Sequence, residues 1–179
     1  MEAEIILKGK ICTIREYKLS DALEIVRIAN NKKIAKNMFD GFPNPYKKAD
    51  AVNWIKFTIK DKKKTKYPLN MVITYKNKIA GGIGVGDLKG GKIGFGYWLG
   101  EEFWGKGIAT EAVKIFINYI FKNIKPFKIT ANVFPWNKGS QRVLEKNGFG
   151  LDGIFKKDYI KNKEIIDQYY YSKINPNYK

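Results

Sequence analysis

Tyr97-Trp98-Leu99-Gly100-Glu101-Glu102-Phe103-Trp104-Gly105-Lys106-Gly107-Ile108-Ala109-Thr110-Glu111-Ala112 is the stretch where the chain changes its pattern. Before it, residues alternate as in strands. After it, Ile108, Ala112, Ile115, Phe116, Tyr119 and Ile120 recur at helical spacing and mark the strongest helix of the sequence. Gly105 and Gly107 carry no Cβ, so a ligand can lie directly on the backbone there. The first amides of the helix have no internal partners and sit at the positive end of its dipole. A diphosphate fits such a site, and Lys106 adds a charge of the right sign. A lone Gly-x-Gly also reads as a plain strand-to-helix turn, so this signal leaves both readings open.

Upstream, Leu69 to Tyr75, Ile79 to Leu88 and Ile93 to Leu99 read as strands joined by Lys76-Asn77-Lys78 and Gly90-Gly91, an antiparallel meander. Downstream, Lys128 to Val133 is a β-branched strand, so strand, helix and strand predict a parallel pair with a right-handed crossover. A helix follows over Gly139 to Lys146, stopped by Asn147-Gly148. Phe149 to Tyr159 and Glu164 to Ile174 then form a hairpin. Near the start, Ile11 to Glu16 reads as the first strand. Ser20-Asp21 opens a helix whose apolar face is Leu23 and Val26 with Ala22 and Ile25. After the turn-rich Asp40-Gly41-Phe42-Pro43-Asn44-Pro45, a helix from Asp50 to Lys60 carries Trp54, Ile55 and Ile59 on one side. No repeat or linker appears, so residues 1–179 read as one α+β domain. Three antiparallel strands before the glycine turn exclude a Rossmann unit, and no Gly-Lys-Ser/Thr occurs for a P-loop.

Composition narrows the chemistry. The 179 residues contain no histidine and one cysteine, which removes His-based triads, His-ligated metal sites and internal disulfides. No metal site is expected, and Cys12 reads as a small core residue. The net charge is +17, but the lysines are spread along the chain and arginine occurs only at Arg15, Arg27 and Arg142. A diffuse surface charge is therefore favoured over a nucleic-acid footprint. No apolar run is long enough to cross a membrane, and the N-terminus lacks a signal-peptide pattern, so a cytoplasmic protein is expected.

The glycine turn and its surroundings resemble the GNAT superfamily of N-acetyltransferases. More narrowly, they resemble its branch of ribosomal-protein N-terminal and spermidine acetyltransferases. The family motif Gln/Arg-x-x-Gly-x-Gly/Ala is matched by Glu102-Phe103-Trp104-Gly105-Lys106-Gly107, with Glu102 as the one departure. Gly96-Tyr97-Trp98-Leu99, Ile108-Ala109-Thr110-Glu111-Ala112 and Asn137-Lys138-Gly139-Ser140-Gln141-Arg142-Val143-Leu144-Glu145-Lys146-Asn147-Gly148-Phe149 match as well. The likeness runs from Ile11-Cys12-Thr13-Ile14-Arg15 to the last hairpin. It implies a GNAT-like, mostly antiparallel central sheet with helices on both faces.

The resemblance also implies acetyl-coenzyme A as acetyl donor. Its diphosphate would lie over Trp104, Gly105, Lys106, Gly107, Ile108, Ala109 and Thr110. Its pantetheine arm would enter between the strands at 93–99 and 128–133, along Tyr97, Trp98 and Leu99. Asn132 belongs to the same expected set, Asn137 to the arm, and Ser140 to the neighbourhood of the sulfur. The residues agree on their own terms: Gly94 and Gly96 allow another chain to approach, and Asn137-x-x-Ser140 is also a sound helix cap. The acceptor would be a primary amine, on a protein N-terminus or a small molecule, and a homodimer is compatible with that reading. A retained cofactor fold without turnover is the rival reading.

Acetyl transfer needs a neutral amine, a route for its proton and an acid for the departing thiolate. Ser140 is the expected acid and Asp158 the expected base, with Asp87, Glu101 and Glu102 as rivals. The amide of Leu99 is an expected donor to the acyl oxygen. Glu111 is expected to support the start of its helix through the dipole. Phe39, Phe42 and Trp54, in and after the turn-rich loop, are expected to line the acceptor pocket. The positive charge of the chain disfavours polyamines as acceptors unless that pocket is locally acidic.

Overall fold

The computed structural model describes residues 4–178, the side chain of Asp87 excepted. The central meander forms as the alternation requires. Strand β3 (Asn70–Tyr75) turns through Lys76 and Asn77, both left-handed, into β4 (Lys78–Lys89), and Gly90-Gly91 turns β4 into β5 (Lys92–Leu99). Helix α4 (Ile108–Asn123) then crosses to β6 (Lys128–Val133), which pairs with β5 in parallel. Helix α5 (Lys138–Lys146), β7 (Gly150–Lys161) and β8 (Glu164–Ile174) complete the chain.

Among the strands and α-helices, two short ones were not foreseen. β1 (Ile6–Lys8) precedes β2 (Thr13–Arg15) and pairs with it, so the expected first strand is the second. α2 (Lys32–Asn37) follows α1 (Ala22–Ala29), and only Ile34 of it is buried. Two apolar faces also differ from expectation. α1 buries Ala22, Ile25, Ile28 and Ala29, whereas Leu23 is 66% exposed. α3 (Lys48–Thr65) starts earlier and ends later than expected and buries Ala51, Ile55 and Thr58, leaving Ile59 exposed. Apolar residues compete for one core-facing stripe, and those a third of a turn away face water.

The strand order is β1-β2-β3-β4-β5-β6-β8-β7, antiparallel throughout except for β5 with β6. Helices cover both faces of this mixed α/β, mostly antiparallel sheet. Phe95 meets Phe116 of α4, its ring centroid 6.4 Å away. Trp98, three residues on and therefore on the other face, meets Phe42 of the loop leading into α3 at 5.8 Å. Ile93, Phe116, Ile120 and Ile129 are fully buried between sheet and α4.

Glu111 has a larger role than the dipole. Its carboxylate accepts the backbone N–H groups of Lys10, Ile11 and Cys12 at 2.8, 2.7 and 2.7 Å. It thereby ties the β1–β2 turn to the first turn of α4. Burial alone would raise its pKa, but the three amides together hold it below the usual carboxylate range. A depressed folded-state pKa contributes stability that is present above the unfolded value and lost as pH falls through the folded one. Glu111→Gln is therefore expected to cost on the order of 2 kcal/mol at pH 7, from weakened charge-assisted bonds. In urea titrations the gap from the parent should close as the solution is acidified into the carboxylate range. A gap independent of pH would show that the charge on Glu111 is not what holds the turn.

Candidate active site

The β5–β6 ladder joins Lys92, Ile93 and Gly94 to Lys128, Ile129 and Thr130, and goes no further. β5 continues through Leu99 and β6 through Val133, so the two strands part and leave a gap. Gly100 donates its N–H to the Ala80 carbonyl on β4. By antiparallel alternation the backbone groups of Leu99 and Tyr97 then face away from β4, toward the gap. The Leu99 carbonyl accepts the Trp104 indole N–H at 2.9 Å. Among the described residues no strand pairs with β5 on that side beyond Gly94, so none receives the Leu99 and Tyr97 amides.

Beside the mouth of the gap, Gly105 and Gly107 take φ of 73° and 74°, the left-handed region that L side chains rarely enter. A Cβ on Gly105 would meet nothing within 4 Å, and one on Gly107 only Ile11 Cδ1 at 3.5 Å. Among the described residues, protein therefore approaches this turn closely only at Ile11. Gly107 is the N-cap of α4 and supplies no side-chain cap, so the leading amides of Ile108, Ala109 and Thr110 stay open to an anion. Lys106 lies along the turn, donating to the Glu102 carbonyl at 2.7 Å. Glu102 itself is turned to Arg27, at 2.8 Å. The departure from the motif is thus answered by a partner on α1, which keeps the carboxylate paired.

A cleft of about 790 Å³ opens from the gap toward α3. Tyr97, Trp98, Asn132, Asn137 and Ser140 line it, as do Phe39, Phe42 and Trp54. Leu99, which is buried, and the turn at 104–110 lie outside that lining. Asn137 accepts the Ser140 backbone N–H at 3.2 Å, the cap anticipated from its spacing. The Tyr97 phenol donates to Ser140 Oγ at 3.2 Å. Burial pushes the Tyr97 phenol up to about 12, with the Ser140 contact pulling the other way, so it stays protonated at neutral pH. Sequence spacing gave no hint of this hydroxyl pair, whose members stand 43 residues apart.

The carboxylates expected as bases are placed differently. Asp158 is exposed on β7, accepts the Tyr170 hydroxyl at 2.7 Å and does not line the cleft. Tyr170 pairs in register with Asn132, which does line it, so Asp158 stands one side chain behind the cleft wall. Glu101 is engaged by Lys33 and by Asn31, and Glu102 by Arg27. The side chain of Asp87 lies outside the described residues. Two carboxylates that were not anticipated, Asp50 and Asp61 of α3, do line the cleft. The structure also ties the acceptor loop to the last hairpin: Lys161 donates to the Met38 carbonyl at 2.6 Å, and the Asp40 N–H to Tyr159 Oη at 3.0 Å. Among the described residues no cluster of metal-ligating side chains occurs, and no helix is long and apolar enough to cross a membrane.

The family described as Acetyltransferase (GNAT) domain matches residues 12–150. A probable N-acetyltransferase of Bacillus subtilis, YjcK, is 43% identical over 81 residues, and the match spans 45% of this chain and less than half, 45%, of that protein. An uncharacterized N-acetyltransferase of Bacillus licheniformis, p20, is 28% identical over 93% of this chain and 94% of its own. Among solved structures, the Microcin C7 self immunity acetyltransferase MccE, in complex with acetyl-CoA and AMP, superposes with a TM-score of 0.80. It is 30% identical over 93% of each chain. The ribosomal-protein-S5-alanine acetyltransferase of Vibrio fischeri gives 0.79 at 27% identity, over 98% of this chain and 99% of that one.

Proposed function

Since this chain belongs to the GNAT acetyltransferase family and is an N-acetyltransferase, we propose that it moves acetyl from acetyl-coenzyme A to a primary amine on a protein N-terminus. The observation that carries this is the parting of β5 from β6 beyond Gly94 and Thr130, next to an uncapped helix start on two left-handed glycines. A phosphorylated thiol arm needs both at once: open backbone amides for its diphosphate, and an unpaired strand edge for its amide-bearing tail. The likeness to an S5-alanine acetyltransferase supports a protein amine as acceptor.

Acetyl-coenzyme A supplies the activated thioester. The chain's own groups do the rest. The Ile108, Ala109 and Thr110 amides, with Lys106 beside them, hold the diphosphate, and the Tyr97 and Leu99 backbone receives the arm. The Leu99 N–H, facing the gap, is placed to stabilise charge growing on the acyl oxygen. As the new C–N bond formed and the C–S bond broke, Ser140 would give its proton to the departing sulfur and regain one from Tyr97, which would in turn be reprotonated from water in the cleft. The amine proton leaves to water in the open cleft, with Asp158 taking part through Tyr170. Phe39, Phe42 and Trp54 hold the acceptor.

Because Asp158 stands behind the wall, Asp158→Asn is expected to lower turnover only a fewfold at neutral pH, well short of the hundredfold scale of a direct base. The loss should fade as rising pH supplies free amine. Unchanged activity at neutral pH would remove Asp158 from the proton path. The function itself is tested by incubating the protein with acetyl-coenzyme A and a panel of N-terminal peptides and small amines. Acetylated peptide and free thiol should appear in equal amounts. Cofactor binding without acetylation of any amine would overturn the proposal.

A further inference from the structure

Lys and Arg make up 34 of the 179 residues, yet none of the described residues lining the cleft is either. On a chain so basic, a cleft of this size free of cations is a marked departure from the surrounding surface. The acidic side chains that do line it are Asp50 and Asp61. They sit on α3 with Trp54 and Phe57 between them, at spacings of four, three and four residues, which puts all four on one stripe of the helix. The Trp54 and Phe57 rings lie 5.4 Å apart, and both are exposed. Lys56, Lys60 and Lys63 fall outside that stripe, and Lys64, three residues past Asp61, continues it beyond the residues that line the cleft.

The two carboxylates differ in what they already do. Asp50 accepts the Lys47 N–H at 2.7 Å and so caps its helix. The Asp61 carboxylate has no hydrogen bond or ion pair among the described residues, in a protein with a twofold excess of cations. Eleven residues separate them, about 16 Å along the helix axis. Across the cleft the floor is bare: a Cβ on Gly86, Gly94 or Gly96 would meet nothing within 4 Å. The result is a long trough with a smooth floor and a wall of acid, two aromatic rings and acid. Aromatic faces and carboxylates both favour an alkylammonium over a neutral or anionic group.

We propose that this wall selects acceptors carrying a second cationic group on an extended chain beyond the amine that reacts, with Asp61 as the specificity-determining residue. The inference rests on the acetyltransferase reading above. Its chemistry is shared by a peptide with a lysine after its N-terminal residue and by a linear diamine. The positive surface around the trough does not oppose such an acceptor at close range, because charges beyond about 8 Å are screened at physiological salt.

The test compares acceptors matched in all but the second charge. One pair is 1,8-diaminooctane and octylamine. The other is two short peptides sharing an N-terminal alanine, with Lys or Gln at the third residue. In each pair the dication is expected to have a kcat/KM about tenfold higher, mostly through KM, the scale of one charge pair in a partly screened site. Added salt should shrink the ratio. Asp61→Asn should reduce it severalfold and Asp61→Lys should erase it, while unchanged acetyl-coenzyme A affinity shows that each variant is folded. A preference seen only in the diamine pair, or only in the peptide pair, identifies the natural source of the second charge and supports the wall. Equal rates within both pairs, or a ratio untouched in a folded Asp61→Asn protein, would overturn the inference and leave the acetyltransferase reading standing. Acetyl-coenzyme A binding with no amine acetylated would overturn both.

Discussion

Replacing Gly107 with valine is expected to weaken acetyl-coenzyme A binding by at least about a hundredfold, close to 3 kcal/mol. Gly107 holds φ at 74°, a conformation that costs a β-branched residue on the order of 1–3 kcal/mol. The nearest protein atom to a Cβ there is Ile11 Cδ1 at 3.5 Å, so the side chain finds room without displacing the core. That room is the space in front of the Ile108–Thr110 amides. The valine both strains the cradle and occupies it. Gly107→Ala carries less bulk and should lose less. Thermal unfolding with and without ligand reads the effect, since a ligand that binds only the native state raises Tm by mass action. The parent should show the shift and the valine variant should not. A folded valine variant with parental affinity would place the diphosphate elsewhere.

The second large effect is on turnover. Ser140→Ala should lower kcat on the order of a hundredfold, the usual worth of one general acid, with acetyl-coenzyme A affinity little changed. The substitution spares the fold because Asn137 caps α5 through the Ser140 backbone N–H, not its hydroxyl. Tyr97→Phe should lose part of the same effect. If the two hydroxyls form one path, the double variant should be no worse than Ser140→Ala alone, a non-additivity that independent contributions would not produce. The Tyr97 phenol, pushed up to about 12 by burial, keeps its proton as pH rises from neutral to about 10, so the Ser140 defect should stay level over that range. Additive losses would separate the two side chains. Full activity in Ser140→Ala would remove it as the acid.

Much of the architecture was legible in the chain. The meander, the crossover and the last hairpin follow from alternation, helical periodicity and turn residues acting over a few positions, and the structure bears them out. The elements that were missed are those with little local signal. α2 is six residues long and buries one of them, and β1 has three residues, ordered by pairing with β2. Leu23 and Ile59 look like core by composition but face solvent, because burial depends on where neighbouring elements pack. Glu111 looked like a dipole partner, yet its three amides come from a turn about a hundred residues away.

The candidate site divides along the same line. The cradle at Gly105 and Gly107 is a property of the sequence alone, because left-handed glycines before a helix expose the same amides wherever the helix packs. The cap of α5 by Asn137 is equally local. The parting of β5 from β6, the meeting of Tyr97 with Ser140 and the retreat of Asp158 behind Asn132 and Tyr170 were decided by tertiary structure. So was the confinement of lysine to the outside of the cleft. Each joins residues far apart in the chain, and which of them meet depends on strand register and on how the helices settle over the sheet, neither of which local periodicity encodes.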